Sequence, residues 1–150
     1  ESEALIDDMT FMLQKEVVQR LAATPEDDTY GRLSVMVQYF CEVDHLFDVP
    51  PGAFKPAPKV TSAIVRLRPH RQINHQAEDT QLLRDLVRTA FSQRRKTLRN
   101  CIKPLISEFD PEQLPVDLSL RPENLGVADY VKLSNAIGQL RAGNTPRAQE

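Results

Sequence analysis

The sequence predicts an α/β chain: a few strands of a helix-covered sheet, followed by a region that is helical throughout. Three observations lead there. Apolar runs of strand length, TFMLQ (10–14), RLSVMVQYFCEV (32–43) and VTSAIVRLRP (60–69), all fall in the first half. The second of these is apolar on both faces for much of its length, as in sheets sandwiched between helices. Beyond the polar stretch HRQINHQ (70–76) the text changes to helical spacing.

Residues 3–8 read as the end of a helix, and TFMLQ follows as a short strand. KEVVQRLAA (15–23) spaces Val17, Val18 and Leu21 as one helical face, and TPEDDTYG (24–31) is a polar turn. In RLSVMVQYFCEV the odd positions from Leu33 to Val43 form an unbroken apolar row, which predicts a long strand. HLFDV (45–49) reads as a further short strand. VTSAIVRLRP turns Ala63, Val65 and Leu67 to one side, while Arg66 and Arg68 emerge on the other. Three or four strands with one intervening helix cannot bury two sheet faces. Part of the sheet is therefore expected outside this chain or from another.

In the second half, Asp79 or Thr80 can cap a helix with Leu82, Leu83, Leu86, Val87, Ala90 and Phe91 on one stripe. Continuing the period would put Arg94 and Arg95 on the core face, where unpaired guanidinium groups are very costly. The helix is therefore expected to break near Ser92–Gln93 and a second to start around Arg95 or Lys96, with Pro104 inside it or near its end. Residues 109–125 are a proline-punctuated connection. GVADYVKLSNAIGQL (126–140) is a last helix with Tyr130, Val131, Leu133 and Ile137 inward, and 141–150 a frayed tail. The expected division is sheet portion 1–69, linker 70–76, helical domain 77–140 and tail 141–150.

With 150 residues the chain has room for one domain, or a small one plus part of another. No apolar run approaches a membrane span and no signal peptide is visible; an opening on Glu1 rather than Met suggests an excised piece. Cys41 and Cys101 lack metal spacing and read as buried free thiols in a reducing compartment. His45, His70 and His75 also lack metal spacing, so no metal site is expected.

Charge is unevenly distributed. Residues 1–53 hold 3 Lys/Arg against 11 Asp/Glu, whereas residues 54–103 hold 12 against 3. A basic block in a mildly acidic chain favours a polyanion-binding face over a merely solvated helix. Its densest part, FSQRRKTLRN (91–100), carries Arg94, Arg95, Lys96 and Arg99. At a helix start these side chains would combine with free first-turn N–H groups, a pairing suited to phosphate. An ordinary basic helix end explains the composition equally well.

PPGAFKPAPKV (50–60) is more specific. Pro50, Pro51, Pro56 and Pro58 cannot extend a sheet and are expected to hold the loop near polyproline geometry. Phe54, flanked by Lys55 and Lys59, would then project as a platform on which an unpaired base can stack. Taken alone, the residues favour Phe54 as packed core over that role. No Ser/His/Asp set, P-loop or GxGxxG is present, so a self-contained active site is not expected.

FMLQKEVVQRL, YGRLSVMVQYF, VPPGAFKPAPKVTSAIVRLRP, FSQRRKTLRN and RPENLGVADYVKLSNAI, in this order and spacing, resemble the ribosomal small-subunit adenine dimethyltransferases of the kasugamycin-sensitivity type. The resemblance runs from about Met9 to Leu140. The related erythromycin-resistance methyltransferases share F-x-P-x-P-K-V but are less similar elsewhere. The resemblance implies the carboxyl-terminal strands of an incomplete Rossmann-like methyltransferase sheet, followed by a small all-α domain. The family's Gly-rich cofactor loop and Asn-Leu-Pro-Tyr catalytic motif are not in this sequence, so no catalytic or cofactor-binding residue is expected in it.

The implied activity is S-adenosylmethionine-dependent dimethylation of N6 of two adjacent adenines in a small-subunit rRNA hairpin loop. Phe54 would pack on the flipped adenine, Lys55 and Lys59 would flank the RNA path, and Arg94, Arg95, Lys96 and Arg99 would hold phosphates. The resemblance thus reverses the order of the two readings of Phe54. It also implies a cytoplasmic monomer acting on the pre-30S particle, with S-adenosylmethionine not bound by this chain alone. Gly126 departs from the family by standing where many relatives have a Ser helix cap. The rivals are a non-catalytic RNA- or ribosome-binding module, and a same-fold protein acting on a large-subunit adenine or in transcription.

Overall fold

The computed structural model describes residues 7–53, 56, 59–73, 75–93 and 95–143. The chain separates into two compact units, Glu1–Ile73 and Asn74–Glu150.

The first unit is built on a three-stranded sheet of β1 (Met9–Gln14), β2 (Cys41–Val49) and β3 (Ser62–Pro69), in the order β1-β3-β2. The last strand of the unit lies in the middle and is antiparallel to both neighbours, with Phe11 and His45 both opposite Val65. One face is covered by α1 (Lys15–Ala22), which follows β1 without a loop. Val18, Ala63 and Val65 form the buried centre there, with Leu13, Val43 and Leu67 partly buried around them. This is the side predicted for Ala63, Val65 and Leu67. Asp7 and Asp8, expected at a helix end, enter β1 without helical structure.

RLSVMVQYFCEV corrects the sequence reading. Residues Arg32–Phe40 form a helix, α2, and only from Cys41 does the chain become the strand β2, which takes in HLFDV as well. The helix wins because its first turn is capped and its inward positions follow helical spacing. Gly31 stands at the N-cap with its N–H on Ser34 Oγ (3.1 Å), and Ser34, Val35 and Tyr39 are buried together. Ser34 Oγ in turn donates to the Arg20 carbonyl. Gln38 Nε2 donates to the carbonyls of Leu21 (2.7 Å) and Ala23 (2.8 Å), satisfying acceptors that the end of α1 leaves open. Leu33, the first residue of the supposed apolar row, is exposed.

The opposite sheet face carries an apolar row, Met12–Ile64–Phe47, beside charged rungs in which Asp44 lies opposite Arg66 and Glu42 opposite Arg68. Met12 and Phe47 are 51% and 58% exposed. Among the described residues β1 and β2 each pair only with β3, so a sheet covered on both faces is not complete within them.

The second unit is helical. Asp79 caps α3 (Thr80–Ala90), its carboxylate accepting the N–H groups of Gln81 and Leu82. Leu82, Leu83, Leu86, Val87 and Ala90 are buried on one stripe, as predicted. The break comes at Phe91, and the next helix, α4 (Leu98–Cys101), begins after the cap Thr97, slightly later than the sequence suggests. A brief interruption at Ile102 separates it from α5 (Lys103–Ile106), where Pro104 sits in the first turn that tolerates it. The connection contains two single 3₁₀ turns, Pro111–Gln113 and Pro122–Asn124. The last helix, α6 (Val127–Gly143), buries Tyr130, Val131, Leu133, Ser134 and Ile137. It extends through Arg141–Gly143, residues expected to fray. Asn135 on α6 ties down the approach to α3, accepting the N–H of Glu78 (2.9 Å) and donating to the Gln76 carbonyl (3.2 Å). At the start of α6 the Asp129 carboxylate accepts the Gly126 N–H at 3.1 Å, the backward half of a capping box.

Candidate nucleic-acid interface

Two segments carry the residues expected to meet RNA, one in each unit. In the first, the connection 50–61 links β2 to β3, and Val49 opposite Ser62 is its closing pair. Phe54, Lys55 and Pro58 lie outside the described residues. Lys59 and Val60 are exposed at the returning end. The outgoing end is not the extended polyproline expected. Pro51–Ala53 is a 3₁₀ turn, closed by the Ala53 N–H on the Pro50 carbonyl at 3.1 Å. The fixed φ of proline suits the start of such a turn as well as it suits polyproline, and the short-range hydrogen bond decides between them.

A cluster of charge lies at the foot of this loop. Asp48 Oδ2 accepts from Lys15 Nζ at 2.9 Å, and its other oxygen lies 2.7 Å from His45 Nε2. These two contacts, that of Lys15 foremost, hold the Asp48 carboxyl below the usual aspartate range. The sequence did not single out this cluster, because Lys15 is distant along the chain and His45 and Asp48 come to one face only through an irregularity in β2.

In the second unit the basic turn lies between α3 and α4. Arg94 lies outside the described residues. Arg95, Lys96 and Arg99 are exposed, and none has a carboxylate partner among the described residues. Arg95 adopts a left-handed backbone, φ 71°, which reverses the chain after α3. Cys101 anchors the turn from beneath. Its thiol donates to the carbonyls of Gln93 (3.5 Å) and Lys96 (3.9 Å), and burial pushes its pKa up, so it remains a thiol there. Cys101 is buried and Cys41 half-buried; both are free thiols.

One expectation fails here. First-turn N–H groups were to join the cations in binding phosphate, but they are already engaged. Leu98 N–H donates to the Leu120 carbonyl (2.7 Å), Arg99 N–H to Leu118 (3.0 Å) and Asn100 N–H to Thr97 Oγ1 (3.4 Å). The first-turn N–H groups of α4 are therefore not open to an anion.

The central positive excess is also partly spent inside the molecule. Arg66 and Arg68 both reach Asp44 Oδ2, at 3.3 and 3.2 Å, and Arg68 also reaches Glu42 Oε1 at 2.8 Å. Arg71 pairs with Asp7 and Arg88 with Asp85. Among the described residues of the basic block, Lys59, Arg95, Lys96 and Arg99, which the sequence indicated, have no carboxylate partner, and neither do Arg84 and Lys103, which it did not.

The described residues do not fit S-adenosylmethionine. Dinucleotide-type sites form beyond the carboxyl ends of neighbouring parallel strands, beside a glycine turn. Here every ladder is antiparallel, and no described glycine has positive φ. Nor do the described residues hold a group of three or more His, Cys, Asp or Glu arranged for a metal ion, and none of their helices is long and apolar enough to cross a membrane.

Comparison with known proteins matches this arrangement to one family. The chain is 59% identical over 140 residues to ribosomal RNA small subunit methyltransferase A of Pseudomonas aeruginosa, covering 93% of this chain and 52% of that protein. It is 54% identical over 141 residues to the protein of the same name from Marinobacter nauticus, covering 92% and 51%. The chain thus spans about half the length of the curated relatives it matches.

Among solved structures, a dimethyladenosine transferase from Plasmodium falciparum superposes with a TM-score of 0.69 at 27% identity, over 85% of this chain and 56% of that one. The 23S rRNA methyltransferase ErmE shares the fold, with a TM-score of 0.64 at 20% identity over 89% and 56%. The fold is therefore α/β: carboxyl-terminal strands of a Rossmann-like methyltransferase sheet followed by a small helical domain. The family model described as ribosomal RNA adenine dimethylase matches residues 1–139, and the chain belongs to that family.

Proposed function

We propose that this chain is the carboxyl-terminal, rRNA-contacting portion of an enzyme that dimethylates N6 of two adjacent adenines in a small-subunit rRNA hairpin loop. In this reading the methyl donor, S-adenosylmethionine, is held by residues outside this chain. The described residues orient RNA: Arg95, Lys96 and Arg99 grip phosphates, Lys59 flanks the strand, and the 50–61 loop offers Phe54, with Lys55 beside it, to the extruded base. Arg94 belongs to the same basic group. The reaction is chiefly one of positioning, since the exocyclic nitrogen must meet the methyl carbon in line. Residues 1–69 would form the sheet portion, 70–76 the linker, 77–140 the RNA-contacting helical domain and 141–150 a tail, a division supported by the separation of compact units after Ile73. The partner would be the pre-30S particle, the enzyme a monomer and the compartment the cytoplasm, where two free thiols stay reduced.

The observation that carries this reading is the basic turn, whose exposed Arg95, Lys96 and Arg99 have no carboxylate partner among the described residues while the β3 arginines have one. Titration of the chain with an RNA hairpin bearing two adjacent loop adenines, at increasing salt, tests it. Replacing Arg95 and Arg99 by Ala should flatten the slope of log K against log salt by about 0.7–0.9 for each phosphate no longer neutralised. An unchanged slope would remove the basic turn from the interface. Calorimetry tests the division of labour: micromolar S-adenosylmethionine binding to this chain alone would overturn it.

A further inference from the structure

The foot of the 50–61 loop is tied together in a way that goes beyond binding RNA. Lys15, the first residue of α1, touches both stems of the loop. Its backbone N–H, one of the donors a helix start leaves open, donates to the Thr61 carbonyl at 2.9 Å on the returning stem. Its ammonium meets Asp48 at 2.9 Å on the outgoing stem, reaching across the central strand.

A β-bulge makes this possible. In an unbroken strand, residues three apart point to opposite faces. The pairing of β2 with β3 shifts between His45 and Phe47, leaving Leu46 as the extra residue. Consequently His45 lies opposite Val65 and Asp48 opposite Ala63, both on the face that α1 covers. His45 can then bond Asp48 at 2.7 Å, and Asp48 can reach the head of α1.

The loop needs such a hold. It far exceeds the roughly 2–5 residues usual in hairpins, and its prolines remove donors that could otherwise fix it to neighbouring backbone. We propose that Lys15 is a positioning residue for the 50–61 loop, a staple in which its backbone fixes one stem while its side chain, through Asp48 and His45, fixes the other. The staple rests on the reading above only for what the loop does, not for how it is held.

Amide hydrogen exchange on the whole chain tests it, because the two stems should respond differently. Lys15→Met removes only the side-chain arm. Exchange at Ala53, whose N–H is bonded to the Pro50 carbonyl on the outgoing stem, should rise about 10-fold, while the amide of residue 15, bonded to the Thr61 carbonyl on the returning stem, should hardly change. Lys15→Arg should keep the slow rates, and the exchanged pair Lys15→Asp with Asp48→Lys should recover most of them. An unchanged rate at Ala53 in Lys15→Met would overturn the staple. So would an equal rise across β1, β2 and β3, which would make Lys15 a general stabiliser of the sheet. RNA affinity of Phe54→Ala tests the other reading separately. If that variant binds the hairpin as tightly as the unaltered chain while Lys15→Met shows the asymmetric exchange, the loop's nucleobase role fails and the staple stands.

Discussion

The hydroxyl of Tyr130 donates to the carbonyl oxygen of Pro122 at 2.6 Å in the interior of the helical unit, where the Tyr130 side chain is fully buried. This bond joins the first turn of α6 to the 3₁₀ turn that precedes it.

Tyr130→Phe keeps the ring volume and removes this bond, leaving the Pro122 carbonyl with the Leu125 N–H at 3.3 Å as its partner. Loss of one buried hydrogen bond of this kind costs about 0.5–1.5 kcal/mol. Urea unfolding should show a midpoint lowered accordingly with an unchanged slope. A midpoint equal to that of the unaltered chain would mean that the Leu125 N–H alone satisfies the carbonyl.

Asp79 accepts two N–H groups at the head of α3, at 3.0 and 3.2 Å. Asp79→Ala should destabilise the chain by about 0.5–2 kcal/mol, and Asp79→Ser by much less, because serine is also a good N-cap. Thermal unfolding of the pair separates loss of the cap from loss of charge. Equal destabilisation by both variants would assign the effect to charge.

Two positions on α6 can be improved. Ser134 is buried and its Oγ has no hydrogen-bond partner among the described residues. Ser134→Ala should therefore stabilise by about 1 kcal/mol, removing an unsatisfied hydroxyl and adding helix propensity. A Cβ at Gly138 would meet Leu82 Cδ2 at 3.4 Å, an ordinary contact with the end of a flexible side chain. Gly138→Ala should accordingly gain up to about 1 kcal/mol. A loss at Gly138 would show that Leu82 cannot yield.

Asp48 gives the first unit an acid-sensitive component. Lys15 and His45 lower its pKa in the folded chain, so the unfolded chain takes up its proton first as pH falls. The contribution is complete above the ordinary aspartate pKa of about 4 and is lost below it, as pH passes through the depressed folded value. In a plot of Tm against pH, the unaltered chain and Asp48→Asn should differ at neutral pH and converge below about pH 4. A gap that persists unchanged into strong acid would deny the ion pair any role.

Much of this was legible in the sequence, and the exceptions have physical causes. The stripe from Leu82 to Ala90 and the cap at Asp79 were plain because amphipathic period and capping chemistry agree there. The alternation Ala63, Val65, Leu67 was equally plain, and its inward side is the one that α1 covers. The segment 32–43 misled because an apolar run satisfies strand and helix periods at once, and what separates them, Ser34 and Gln38 closing the end of α1, is a tertiary contact. The exposed cations at Lys59, Arg95, Lys96 and Arg99 were legible as charge. The occupied N–H groups at Leu98 and Arg99 were not, since their acceptors lie about twenty residues on, at Leu120 and Leu118. The Lys15–Asp48–His45 cluster depends on a one-residue bulge at Leu46, which leaves no mark in composition or spacing.

The position of β3 at the centre of the sheet has a consequence in time. A ribosome makes β1 first and β2 next, yet among the described residues neither pairs with the other, and both need the strand made last. Until Ser62–Pro69 have emerged, neither β1 nor β2 has its β3 partner, and the side chains of these two strands include Phe11, Met12 and Phe47. The prolines of the 50–61 loop lie between β2 and its partner, and they can donate no ladder hydrogen bonds while the nascent chain waits. Among the described residues, the central strand is therefore the closing step of this sheet, because both of its neighbours wait for it.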